Sequence, residues 1–168
     1  MRFFFNDLEA IKIAMDIERR GEKFYTAAAN KLDEEEIQEV LIDLAQQEKE
    51  HKETFQDLYK DAASQKDKFD DTYLFDPEIS SYLSAMVETV VFPSDERLDE
   101  VLEDINNAED ALLIGIQAEK GTILFYTEMI IYSKLVEAKE AFRKLLSEEK
   151  AHLIDLQKKL KEIRNSHK

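Results

Sequence analysis

Shifted by 101 residues, this chain lies over itself without a gap, and that repeat limits its fold more than any other feature. Asn6 falls on Asn107, Glu18 on Glu119, Phe24 on Phe125, Tyr25 on Tyr126, Glu48 on Glu149 and His51 on His152. Each half carries two long runs of helical periodicity. In the first half the seams read Ile11, Ala14, Glu18, Gly21, Tyr25, Ala28, Leu32, and then Ile37, Leu41, Leu44, Glu48, His51, Phe55, Leu58, Ala62. In the second they read Leu112, Gly115, Glu119, Thr122, Tyr126, Met129, and then Ala138, Phe142, Leu145, Glu149, His152, Leu156, Lys159, Ile163. The carboxylates and imidazoles are out of place on stripes this apolar. Lys159 also breaks its stripe, near a helix end where a long side chain can snorkel outward.

The repeat predicts two antiparallel helical hairpins, over about 6–64 and 107–164. Asn6-Asp7-Leu8-Glu9 and Asn107-Ala108-Glu109-Asp110 read as capped helix starts, and Asp33 as a cap for the second helix. Chain turns are expected at Asn30–Asp33 and around Ser133-Lys134. Residues from about 65 to 106 hold both prolines, Pro77 and Pro93, and the polar run Asp70-Asp71-Thr72. They read as a long crossover, with one short helix opened by Pro77 and another by Ser94-Asp95-Glu96. Only three glycines and two prolines in 168 residues, with abundant Glu, Lys, Leu and Ala, make the expected fold all-α: a four-helix bundle forming a single domain over 1–168.

A formal charge of −15 argues against nucleic acid and against an anionic membrane surface, both of which need clustered Lys and Arg. Without cysteine there is no disulfide, thiolate nucleophile or thiolate-held metal, in keeping with a cytoplasmic protein. Met1-Arg2-Phe3-Phe4-Phe5 is too short for a signal peptide, and no stretch approaches the ~20 apolar residues of a membrane span.

Glu fills 23 of 168 positions, so a Glu three residues before one His would mean little. Two such pairs, on apolar seams and equally spaced from a lone seam Glu, mean more. Buried carboxylates must be paired or coordinated, and two divalent ions would offset four of them. Oxygen and imidazole donors suit iron or manganese, and zinc would also fit. Glu18 and Glu119 are therefore the expected lone ligands, with Glu48, His51, Glu149 and His152 as the paired ones; which glutamates bridge is open. A metal-free core of Glu–His hydrogen bonds is the alternative. His167, at the tail, is expected in solvent.

Tyr25 and Tyr126 sit two turns beyond the lone glutamates. Each phenol could orient a ligand carboxylate and relay an electron or proton, or be a core aromatic satisfied locally. Gly21 and Gly115 cost ~1 kcal/mol each in a helix relative to alanine, so close packing or room for a small ligand is expected there. Phe24, Phe55, Phe125 and Phe142 read as core.

The motifs Glu18-x5-Phe24-Tyr25, Glu48-x-x-His51, Glu119-x5-Phe125-Tyr126 and Glu149-x-x-His152 resemble the rubrerythrin family of the ferritin-like superfamily. The resemblance implies a ferritin-like bundle with two iron ions in a non-haem di-iron centre, acting on hydrogen peroxide or dioxygen, and a homodimer; helix exchange between chains through 65–106 stays open. Two departures stand out. The cysteine-ligated rubredoxin module is missing, as in erythrin-type members, so electrons must come from an external redox donor protein. Thr122 stands where rubrerythrins proper carry a further Glu one turn after the third-helix ligand. The competing expectations are ferritin-like iron oxidation, storage or delivery, and a metal-free helical interaction module.

Overall fold

The computed structural model describes residues 5–65, 67, 74–89 and 91–168; Met1-Arg2-Phe3-Phe4 and the Asp70-Asp71-Thr72 run lie outside them. Among the described residues six helices follow in order: α1 (Asp7–Lys31), α2 (Glu35–Ala63), α3 (Pro77–Thr89), α4 (Asp95–Glu103), α5 (Ala108–Tyr132) and α6 (Val136–Ser166). The starts and ends of α1, and the start of α2, recur 101 positions later in α5 and α6, so the repeat is one of structure as well as sequence. α1 packs along α2 and α5 along α6, forming two hairpins that meet as a four-helix bundle. At 1.5 Å per residue, α1 is about 38 Å long.

Local chemistry sets the helix ends. The Asn6 side chain accepts the Glu9 N–H at 2.9 Å, and Asn107 accepts that of Asp110 at 2.9 Å. Asp110 reaches back to the Asn106 N–H at 2.9 Å. The Glu9 carboxylate instead binds Lys12 at 3.2 Å. Asp33 does not cap α2. Glu34 occupies the cap position and accepts no hydrogen bond on its side chain. The interhelical turn is fastened from the other side, where the Gln38 amide donates to the Leu32 and Ala29 carbonyls at the end of α1.

The seams lie inward as the periodicity predicts: Ile11, Ala14, Leu41, Leu44, Leu112, Met129, Ala138, Leu145 and Leu156 are buried, as are the four expected core phenylalanines. Lys159 extends outward to Glu36 and Glu162. His167 is exposed at the chain's end. The crossover does more than connect. α3 begins at Pro77 and lies against α5, and α4 follows Ser94 and lies against α1, where Asp95 binds Arg19 and Lys23 at 3.0 Å each. It buries Phe75, Leu83, Met86, Phe92 and Ile105 in the common core. Phe5 bonds it at the other end, accepting the Phe75 N–H at 2.7 Å and donating to the Ser80 hydroxyl at 3.1 Å.

Asp7 is fully buried, and burial raises its carboxyl above the usual range despite the opposing hydrogen bonds from the connection between α5 and α6. It accepts the Lys134 N–H at 3.1 and 3.3 Å, tying the start of α1 to the start of α6, which has no side-chain cap of its own. Asp7→Ala removes that acceptor and leaves a hole. It is expected to lower stability by about 1–3 kcal/mol, measured as an earlier thermal unfolding midpoint.

Candidate metal centre

α1, α2, α5 and α6 each bring seam side chains to one level of the bundle. Glu18, Glu48, Glu119, Glu149, His51 and His152 are all buried, with at most 2% of their surface exposed. They form two overlapping groups. Glu18, Glu48, His51 and Glu149 make one, and Glu48, Glu119, Glu149 and His152 the other; within each, one donor atom per residue lies within 4.8 Å of the rest. Glu48 and Glu149 belong to both. The sequence left the shared carboxylates open, and the geometry gives that place to the two glutamates of the Glu-x-x-His pairs.

Both imidazoles turn Nδ1 inward. His51 Nδ1 lies 2.7 Å from Glu149 and 3.4 Å from Glu18. His152 Nδ1 lies 3.1 Å from Glu149, 3.2 Å from Glu48 and 3.6 Å from Glu119. The rings stack at 5.4 Å with 11° between their planes. These atoms are close without being aligned on one another: both Nδ1 atoms, both oxygens of Glu48 and of Glu149, and one oxygen each of Glu18 and Glu119 make no hydrogen bond. Eight buried donors aimed at common points, in a set of four carboxylates and two imidazoles, fit a pair of divalent cations.

The electrostatics agree. Burial, followed by the charge of Glu149, raises the carboxyls of Glu18, Glu48 and Glu119 well above the ordinary range. Burial also works against Glu149, but the close approach and charge of the His152 and His51 rings outweigh it and hold that carboxyl at about 2. The imidazoles go the other way. Burial disfavours their charged form, yet the surrounding carboxylates push His51 up to about 9 and His152 higher still. The cavity demands positive charge, from protons or from metal.

The tyrosines cross between hairpins. Tyr25, on the helix of Glu18, donates its hydroxyl to Glu119 at 2.5 Å, and Tyr126, on the helix of Glu119, donates to Glu18. Each lone carboxylate thus has one oxygen fixed by a phenol and one facing the cluster. Burial, then the Glu119 charge, pushes the Tyr25 hydroxyl well up, so it keeps its proton. Phe24 and Phe92 pack on Tyr25; Phe55 and Phe142 pack on Tyr126. Thr122 is buried and donates its hydroxyl to the Ala118 carbonyl at 3.1 Å, so this position adds no fifth carboxylate to the cluster.

Two residues escaped the sequence reading. The outer nitrogen of His51 meets Glu148 at 2.7 Å, and that of His152 meets Gln47 at 3.0 Å. Glu148 and Gln47 are repeat partners, 101 residues apart, each one place before a cluster glutamate. That spacing was the available signal. Being polar and off the seam, they resemble ordinary surface positions.

A sequence model of the rubrerythrin family matches residues 9–161. This chain belongs to the rubrerythrin family. Among solved structures it is similar to a ferritin-like diiron-carboxylate protein from Thermotoga maritima, with 21% identity, a TM-score of 0.68, and cover of 96% of this chain and 99% of that one. No curated protein matches the chain in sequence.

Gly21 is where a side chain would disturb this arrangement. A Cβ there would meet Phe92 at 3.0 Å and the Glu48 side chain at 3.2 and 3.3 Å, so the position is already filled and offers no room for a ligand. Gly115 is similarly closed, by Tyr25 at 3.2 Å and Leu156 at 3.4 Å. Alanine in an unconstrained helix would gain ~1 kcal/mol over glycine. Gly21→Ala is instead expected to lower stability by about 1 kcal/mol through crowding, read from denaturant unfolding; a gain would show that Phe92 yields freely.

Proposed function

We propose that this protein holds two iron ions between its hairpins and reduces hydrogen peroxide or dioxygen with electrons from an external redox protein. The observation that carries the proposal is the set of eight buried, unbonded donor atoms in two groups sharing Glu48 and Glu149. Family membership supports it, as does the diiron-carboxylate description of the structural relative. Bound there, two iron ions would supply two electrons and a Lewis-acidic place for an oxygen species. Reduction of one peroxide consumes those two electrons and two protons and yields two waters; the donor then restores the electrons.

The protein's part is positional. Glu18, Glu48, His51 and Glu149 would hold one ion, and Glu119, His152 and the same two shared glutamates the other. Tyr25 and Tyr126 fix the lone carboxylates at Oε1, and the phenylalanines behind them exclude water. Glu148 and Gln47 fix the imidazoles so that each Nδ1 lone pair faces inward. No described helix is long and apolar enough to cross a membrane, and the absence of cysteine supports action in a reducing cytoplasm.

Protein purified without chelator is expected to carry two irons per chain. After anaerobic loading with ferrous iron, oxidation by peroxide or by dioxygen is followed through the near-ultraviolet absorption of ferric carboxylate sites. Turnover with two electrons consumed per peroxide supports the enzyme. Uptake of many irons per chain in a closed shell would point to storage, and an intact fold with no metal would overturn the proposal.

We also propose a homodimer through α5. Its outward positions Leu113, Gln117, Lys120, Leu124, Thr127 and Ile131 alternate four and three apart, the spacing of a helix-pairing stripe. Leu113, Leu124 and Ile131 are 38%, 41% and 59% exposed. Their repeat partners on α1 are Lys12, Lys23 and Asn30, a polar face. The same fold position is thus polar in one hairpin and apolar in the other, which a second copy seated on α5 explains. Light scattering is expected to give a dimer, and Leu124→Glu with Ile131→Lys a monomer of unchanged helicity; a monomeric wild type at micromolar concentration would overturn this.

A further inference from the structure

The two halves of the centre are not equal. His51 is held from outside by Glu148 at 2.7 Å, a carboxylate, whereas His152 is held by Gln47 at 3.0 Å, an amide. A carboxylate only accepts, so the His51 Nε2–H must be the donor, and a cation that replaces the ring's second proton meets the lone pair on the inward Nδ1. Gln47 is oriented by a further contact: its Nε2 donates to Asp43 at 2.8 Å. That bond leaves the Gln47 carbonyl oxygen for His152, whose Nε2–H donates to it and whose Nδ1 again faces inward. Both rings therefore present the same atom to the cluster. What differs is charge: a carboxylate touches the first ring directly, while at the second the carboxylate, Asp43, stands one residue further out.

A carboxylate on the far nitrogen of a ligating imidazole makes the near nitrogen a better donor and adds negative charge close to the bound cation. A neutral amide orients the ring equally well but gives less of either. We infer that the two metal positions are inequivalent, and that Glu148 makes the Glu18–Glu48–His51–Glu149 position the tighter one, so that it fills first. The inference rests on the reading that the cluster holds two divalent ions. Glu148 is a positioning residue: it acts through His51 and does not face the cluster. Its side chain is 44% exposed, so solvent screens part of its charge, and the expected effect sits at the lower end of the 10–100-fold typical of such partners.

The test uses Co2+, which needs no redox chemistry, on the full chain labelled with nitrogen-15. Repulsion between two ions would separate the binding steps even in a symmetric site, so step spacing decides nothing. The order of filling decides. With half an equivalent of Co2+, the through-bond contact shift of a ligating imidazole is expected first at His51. In calorimetry, Glu148→Gln should weaken the tighter step about 10-fold with helicity unchanged. The exchanged double variant, Gln47→Glu with Glu148→Gln, keeps the composition of the pair and should reverse the order, so that the contact shift starts at His152. A purely structural role for Glu148 would not produce that reversal. Equal contact shifts at both histidines from the first addition, or an order that survives the exchange, would overturn the inference while leaving a two-metal centre standing. Absence of any Co2+ binding would overturn both.

Discussion

Four carboxylates buried at one level of a helical bundle are the constraint on which the rest of this structure depends. In an apolar interior their mutual repulsion and lost hydration exceed anything the neighbouring leucines and phenylalanines could return. The molecule answers with two imidazoles among the carboxylates and a phenol on each lone glutamate. Those contacts still leave most of the inward oxygens unbonded. Cations are the remaining source of countercharge with the right reach. The Thr122 hydroxyl, turned onto its own helix, adds no further charge.

The contacts that complete the centre run between hairpins. Tyr25 serves Glu119 and Tyr126 serves Glu18; Glu148 serves His51 and Gln47 serves His152. A single hairpin would own two carboxylates, one imidazole and a tyrosine aimed at nothing. The site is thus a property of docking, and the polar contacts across the bundle fix the relative level of the hairpins. Leucine and phenylalanine packing alone specifies such a level weakly, since apolar contacts carry no direction.

Much of this was legible in the sequence because a seam is a one-dimensional record of what faces inward. The six cluster residues and the core phenylalanines follow from period and repeat, and the two crossover helices from Pro77 and Ser94-Asp95-Glu96 as helix openers. The shared role of Glu48 and Glu149 did not, because it depends on how far α2 and α6 stand from each other. The crossed tyrosines escaped for the same reason: a seam shows that Tyr25 faces inward and not which carboxylate it meets. Glu148 and Gln47 sit off the stripe, where periodicity is silent. Asp33 misled because a capping residue type says nothing of whether the chain takes the cap conformation there, and Gln38 does the fastening instead.

A doubled hairpin in one chain cannot be symmetric throughout, because it has one crossover. Phe92 comes from that crossover and packs on Phe24 and Tyr25, against Gly21. On the other side Tyr126 is covered by Phe55 and Phe142, whose repeat partners are the smaller Leu156 and Leu41. Gly21 itself is matched by Thr122 at the repeat position. The cluster residues and the tyrosines that touch them keep the repeat, whereas the groups around them depart from it where the topology differs. Departures with no such topological reason, Gln47 against Glu148 above all, are therefore the ones in which a functional difference between the halves is most readily sought.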